Sequence, residues 1–222
     1  MEEFNIVSPE ITEYLRDLIL NGAGLSPELT ALQERAYEEG FPIITPEAAA
    51  FLRVLLTVKN PLRILEIGCA VGFSASLMAE TLPNAAITTI DRFPLMIAEA
   101  RKTFKTLGIE KRVTLIESDA AEILPILTDK FGFIFLDAAK GQYLNFLADC
   151  LRLLEIGGVL VCDDVLQDGI LVKDRYEIPR RARSTRERMR KFLEILTNTD
   201  GLTTSVLPLG DGMSVTIKNA DI

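Results

Sequence analysis

The sequence predicts an α/β protein: a doubly wound, mostly parallel seven-stranded sheet with an antiparallel last strand, preceded by N-terminal helices. From Arg63 onward, short apolar runs alternate with amphipathic stretches at the spacing of βαβ units. Acidic residues stand where the apolar runs end: Asp91 after ITTI, Asp119 after VTLIES, Asp137 after FIFL, and Asp163-Asp164 after VLVC. Strand C-termini of a parallel sheet share one edge, and that edge is where ligands bind. The closing runs TTSVLPL and MSVTIK flank Gly210-Asp211-Gly212, a hairpin signal that makes the last strand antiparallel.

Residues 1–60 read as a helical cover. Thr45-Pro46-Glu47 is a helix start, with Thr45 as N-cap and proline in the first turn. Strands are expected near 63–67, 86–90, 113–117, 132–136 and 158–162, and helices near 73–82, 94–107, 119–127 and 142–154. Ser184-Thr185-Arg186-Glu187 has the form of a capping box. It is expected to open a helix with Met189, Phe192, Leu193 and Leu196 on one face. No repeat or low-complexity linker divides 61–222, which reads as one unit.

Composition narrows the chemistry. No apolar run approaches the roughly 18 residues needed to span a bilayer, and the acidic start MEEFNIVSPE lacks a secretory pattern, so a cytoplasmic protein with no membrane partner is expected. Cys69, Cys150 and Cys162 are widely spaced and read as small core residues. The chain has no histidine, which removes the Ser-His-Asp triad and histidine-held zinc. Any metal would be held by oxygen, favouring Mg²⁺, Ca²⁺ or Mn²⁺. The net charge is −8, yet from Lys173 to Lys191 nine lysines and arginines face three acids. That basic run is either a solvated helix face or a phosphate-contacting patch.

Residues 64–72, ILEIGCAVG, form a strand, a glycine turn and the start of a helix. Free N–H groups at a helix start and glycines without Cβ let a ligand approach the backbone. A dinucleotide fingerprint wants a glycine where Ala70 stands. S-adenosylmethionine, which has no pyrophosphate, tolerates that better, and Glu66 and Asp91 suit its ammonium and ribose. The alternative is a turn serving only close helix–strand packing. Asp137 and Lys140 end one strand and Asp163-Asp164 the next; adjacent strands would bring three carboxylates together, which a divalent cation would stabilise.

ILEIGCAVGFSA, the strand-end Asp91, SDA at 118–120, DAAKGQY, GGVLVCDDVL and GDGMSV together resemble the metal-dependent O-methyltransferases, among them the catechol and caffeoyl-CoA enzymes. The resemblance implies an S-adenosylmethionine-dependent domain over 61–222, often dimeric, with Mg²⁺ on Asp137, Asp163 and Asp164. Lys140 then falls at the position of the base, and cofactor contacts fall on Glu66, Gly68, Gly72, Ser74, Asp91, Asp119, Ala120 and Asp137. Asp164 departs from the usual asparagine; its extra charge is expected to tighten metal binding and weaken the acidification of a bound hydroxyl. DAAKGQY together with IPRRARSTRERMRKFLEIL is most similar to the bacterial tRNA 5-hydroxyuridine methyltransferases, which form 5-methoxyuridine at the wobble position. That implies a tRNA anticodon loop as partner. Arg180, Arg181 and Arg183 are the first candidates for its phosphates, and Arg186 and Arg190 the next. Phe41–Thr45 is read as lining the pocket. The rival readings are methylation of a small catechol, hydroxylated aromatic or acyl-CoA substrate, a nicotinamide-dependent dehydrogenase, and a non-catalytic cofactor-binding protein.

Overall fold

A computed structural model describes residues 7–20 and 24–222. Three helices come first: α1 (Pro9–Leu20), α2 (Pro27–Glu38) and α3 (Pro46–Lys59). The Thr45 hydroxyl accepts from the Ala48 amide at 3.3 Å, as the N-cap reading requires. Asn60, in the left-handed region at φ 47°, ends α3 and turns the chain into the sheet.

The sheet domain runs β1 (Arg63–Ile67), α4 (Phe73–Thr81), β2 (Ala86–Asp91), α5 (Pro94–Thr106), β3 (Val113–Glu117), α6 (Ala120–Ile123), β4 (Phe131–Leu136), α7 (Tyr143–Leu153), β5 (Leu154–Cys162), α8 (Arg180–Asn198), β6 (Leu202–Leu207) and β7 (Met213–Lys218). The seven strands order as β3-β2-β1-β4-β5-β7-β6, with β7 antiparallel to both neighbours. Between β1 and β4 the winding reverses direction. Ligands bind beyond the strand C-termini at such a switch point.

Strand β4, FGFIFL, is buried along its whole length because both faces of the sheet are covered. One apolar cluster packs α2, α3 and α4 against Ile64, Phe133, Phe135 and Val161. The other packs α7 and α8 against Leu65, Ile134, Leu136 and Leu160 on the opposite face. All three cysteines are buried and free, as small core residues. Among the described residues no helix is long and apolar enough to cross a membrane.

Helix α8 differs from expectation. It starts at Arg180 after Pro179, so Ser184–Glu187 lies inside the helix and does not cap it. Helix α6 is a single turn, continued by a 3₁₀ turn over Leu124–Ile126. Strand β5 begins earlier than expected, and its register against β4 shifts between Phe131 and Phe133.

Candidate active site

The glycine turn after β1 is forced by its neighbours. Gly68 has φ 97°, and a Cβ there would lie 1.9 Å from the Asp137 carbonyl oxygen, so no side chain fits. A Cβ on Gly72 would meet the Phe104 ring at 2.8 Å, which gives that glycine a packing role against α5. Ala70 takes the left-handed region at φ 44° without glycine's freedom. Asp91 holds the turn: its Oδ2 accepts from the Cys69 and Ala70 amides, both at 3.0 Å, and its Oδ1 accepts from the Phe93 amide at 2.9 Å.

A cavity of about 440 Å³ opens over this turn. Gly68, Ser74, Asp91, Asp119, Ala120 and Asp137 lie on its wall, together with Pro42, Ile43 and Ile44 from the expected pocket segment. Sequence reasoning missed Phe93 and Met96, which add apolar wall, and Arg92, whose guanidinium pairs with Asp119 at 2.6 Å. The available signal was their position, directly after the strand-end acid and in the first turn of α5. Two expected cofactor contacts are not on this wall: Gly72, which packs on Phe104, and Glu66, which lies beneath the floor.

Parallel pairing of Ile67 with Leu136 and of Leu136 with Cys162 sets Asp137 beside the glycine turn and Asp163 beside Asp137. The buried Tyr143 hydroxyl fastens these strand ends, reaching the carbonyls of Leu136 at 3.1 Å and Asp163 at 2.9 Å. Lys140 Nζ bridges Asp137 at 2.8 Å and Asp164 at 2.9 Å. Burial opposes the charge on this ammonium, but the two carboxylates outweigh it and hold the pKa above its ordinary value. Burial, and then the charges of Asp137 and Asp164, push Asp163 up to about 8.

The family model for "O-methyltransferase" matches residues 22–219. The chain belongs to the O-methyltransferase family. Tapetum-specific methyltransferase 1 of Arabidopsis thaliana is 30% identical over 183 residues, 80% of this chain and 77% of that protein. A catechol O-methyltransferase of Niastella koreensis is 30% identical over 79% of this chain and 81% of its own length. Among solved structures, SAH-bound methyltransferase PaMTH1 of Podospora anserina superposes with a TM-score of 0.84 at 26% identity, covering 96% of this chain and 97% of that one.

The methyltransferase is S-adenosylmethionine-dependent, and its site fits that cofactor. The cavity over the glycine turn has both apolar and polar walls, Gly68, Ser74 and Asp119 among them, and beneath its floor a buried carboxylate oxygen, Glu66 Oε1, meets no donor in good geometry. A divalent cation is tested by the donor set. Asp137, Asp163 and Asp164 supply only oxygen, which suits a hard cation. Among the described residues, however, no group of three acids or thiols is arranged as it stands to hold a metal ion. The Lys140 ammonium takes the place between Asp137 and Asp164 where a cation would serve the same charges. The chemistry fits, and a cation would displace Lys140.

The arginines divide into two groups. Arg180 and Arg181 are exposed at the start of α8, and the half-buried Arg183 lies over the Tyr176 ring at 5.7 Å and donates to the Ile178 carbonyl. Of the two further candidates, Arg186 is corrected, being committed to the protein's own backbone, whereas Arg190 is exposed and places one arm on it. Arg186 is buried and donates to the carbonyls of Ile170 and Lys173, and Arg190 donates to that of Leu171.

Glu66 gives the methyltransferase a pH dependence. Burial raises its pKa to about 8, with the Ser74 and Thr89 hydroxyls offsetting only part and Asp137 and Asp91 adding to it. Between its ordinary 4.5 and about 8 the folded chain keeps this proton while the unfolded chain has lost it. Stability of the cofactor-free protein therefore falls as pH rises through that window. Glu66→Gln stays neutral, so its melting temperature is expected to fall less between pH of about 5 and about 8. Calorimetry giving parallel slopes for the two proteins would contradict the assignment.

Proposed function

We propose that this methyltransferase is divalent-cation-dependent and converts 5-hydroxyuridine at the tRNA wobble position into 5-methoxyuridine. The observation that carries the reading is the exposed basic start of α8 beside the catalytic edge. Thr185 of that helix packs near Gly141, which follows Lys140, and Arg180 stands five residues earlier, roughly 7 Å along the axis. Guanidinium groups at that distance suit phosphates flanking a nucleotide whose base is splayed into a pocket.

A bound cation lowers the pKa of an acceptor hydroxyl and fixes its position. The chain's own residues supply the rest. The glycine turn and Ser74 seat the cofactor, Asp137 stands at the junction of cofactor cavity and acidic edge, and Lys140 takes or offsets the acceptor proton once its carboxylate partners are engaged elsewhere. Holding the acceptor oxygen in line with the sulfonium methyl group supplies much of the acceleration.

The test is incubation with S-adenosylmethionine, Mg²⁺ and tRNA carrying 5-hydroxyuridine, followed by digestion and mass spectrometry. 5-Methoxyuridine is expected, and its loss with EDTA would support the cation. Replacing Arg180, Arg181 and Arg183 together by alanine is expected to lower tRNA methylation roughly 10-fold to 100-fold at low salt and less at higher salt, where phosphate contacts contribute less, while sparing turnover of a catechol. Equal loss on both acceptors would remove the tRNA reading.

A second reading, methylation of a small catechol or hydroxylated aromatic, is favoured by a second cavity. It measures about 250 Å³ and is lined by Leu15, Arg16, Thr45, Leu209, Asp168 and Asp211 among others. Its size suits one substituted ring, and the similar Niastella koreensis protein is a catechol O-methyltransferase. Turnover of a catechol without product on tRNA would decide for it.

A further inference from the structure

Three arginines of α8 tie neighbouring turns of the chain to the helix. Arg186 and Arg190 grip the 3₁₀ turn at Ile170–Val172 and the residue after it through the carbonyls of Ile170, Leu171 and Lys173. Arg188 does something different. Its Nε donates to the Gly141 carbonyl at 2.7 Å, and its Nη2 to Asn145 Oδ1 at 2.6 Å. Gly141 is the middle residue of the 3₁₀ turn Lys140–Gln142, and Asn145 sits in the first turn of α7. One planar guanidinium therefore spans the turn that presents Lys140 and the helix that follows it, from 47 residues further along the chain.

We infer that Arg188 is a positioning residue for Lys140. The other backbone bonds on the turn are local, among them one from the Tyr143 amide to the Lys140 carbonyl. Its own closing bond runs from the Gln142 amide to the Ala139 carbonyl, and the Asn145 amide group donates to Gln142 Oε1. Gly141 has no side chain to pack, and the peptide that joins it to Gln142 is held on one edge by the Gln142 amide bond to Ala139 and on the other by Arg188 at the carbonyl. Without the Arg188 arm that peptide is held only from within the turn, and this loosens the placement of Lys140 against Asp137 and Asp164, which its ammonium must reach at 2.8 and 2.9 Å. Two charge-assisted bonds in one plane set both the position and the orientation of that peptide. A lysine at 188 could reach one acceptor but could not reproduce the fork.

The test reads Lys140 directly, on the 222-residue chain in EDTA. A ¹H–¹⁵N spectrum tuned to ammonium groups should show a protected Lys140 signal, assigned by its absence in Lys140→Met. Arg188→Met is expected to speed exchange of that signal roughly tenfold or more, whereas Arg188→Lys and Asn145→Ala, each keeping one arm, give intermediate values. An unprotected signal in the wild type, or an unchanged one in Arg188→Met, overturns the inference. If Arg188→Met does not fold, the two single-arm variants decide it, and wild-type exchange in both overturns it.

The consequence for turnover rests on the proposed role of Lys140, and a double-mutant cycle separates the two. With whichever acceptor is turned over, Arg188→Met should lower kcat roughly tenfold at unchanged KM for S-adenosylmethionine, and lower it no further when Lys140 is already methionine. If Lys140→Met alone turns over like wild type, the catalytic reading of Lys140 falls, while the exchange measurement still decides Arg188. A loss of kcat that persists in full on the Lys140→Met background overturns the inference that Arg188 acts through Lys140.

Discussion

Asp137→Ala is expected to lower methyl transfer by roughly 10²-fold to 10³-fold or more, the loss typical when a group facing the developing charge is removed. Asp137 is the residue on which three parts of the site meet. Its carbonyl occupies the space a Gly68 side chain would need, its carboxylate lines the cofactor cavity, and the same carboxylate pairs with Lys140 at 2.8 Å. The substitution leaves the backbone bond from the Asp137 amide to the Ile67 carbonyl intact, so strand pairing survives. The melting temperature should therefore stay within a few degrees, on the scale of about 4 °C per kcal/mol or less for a chain of this size. Mn²⁺ binding, followed by electron paramagnetic resonance, should be lost with the activity. Wild-type turnover that persists in EDTA would remove the cation from the mechanism, whatever the variant does.

Lys140→Met is expected to cut turnover by roughly 10²-fold, at the low end of what a positioned proton-transfer group contributes. Binding of S-adenosylhomocysteine should be nearly unchanged, because the glycine turn and Ser74 are untouched. The same variant should bind Mn²⁺ more tightly. In the wild type a cation must displace an ammonium that bridges Asp137 and Asp164; in the variant the two carboxylates are unpaired and repel each other until a cation arrives. Calorimetric titration with Mn²⁺ checks this, and weaker binding in Lys140→Met would show that Lys140 supports the cation site and does not compete for it. On the proposed mechanism, such competition would release the Lys140 ammonium from the carboxylates that hold its pKa above the ordinary value.

Much of this site could be read in the sequence, for local reasons. The parallel strands β2, β4 and β5 end in short apolar stretches, and Asp91, Asp137 and Asp163 at their C-terminal ends fall on one edge because parallel strands share a direction. Asp137 beside Gly68 follows from that register alone. What could not be read depends on contacts between distant residues. Asp91 suits a ribose hydroxyl in the sequence, yet its carboxylate accepts three backbone amides around the turn. Ser184–Glu187 satisfies the local pattern of a helix start, but the helix extends a further turn to Arg180, where its inward arginines tie it to the loops beneath. The basic run was visible as charge; nothing in its composition separates Arg188, bound to Gly141, from Arg181, exposed to solvent.

The turn at Gly210–Gly212 closes the loop behind the acidic edge. Its Asp211 and Gly212 carbonyls accept from the amides of Leu166 and Val165, just beyond Asp163 and Asp164, and Gly212 lies so close to Leu166 that a Cβ would sit 2.3 Å from its side chain. Strand β7, inserted between β5 and β6, is what delivers that turn. During synthesis the N-terminal part of a chain is available to fold first. The cofactor cradle at Gly68 can thus take shape while the chain is still being made, whereas the acidic edge waits for the hairpin to slot in. A newly made molecule would acquire its nucleoside-binding half before the half that performs chemistry.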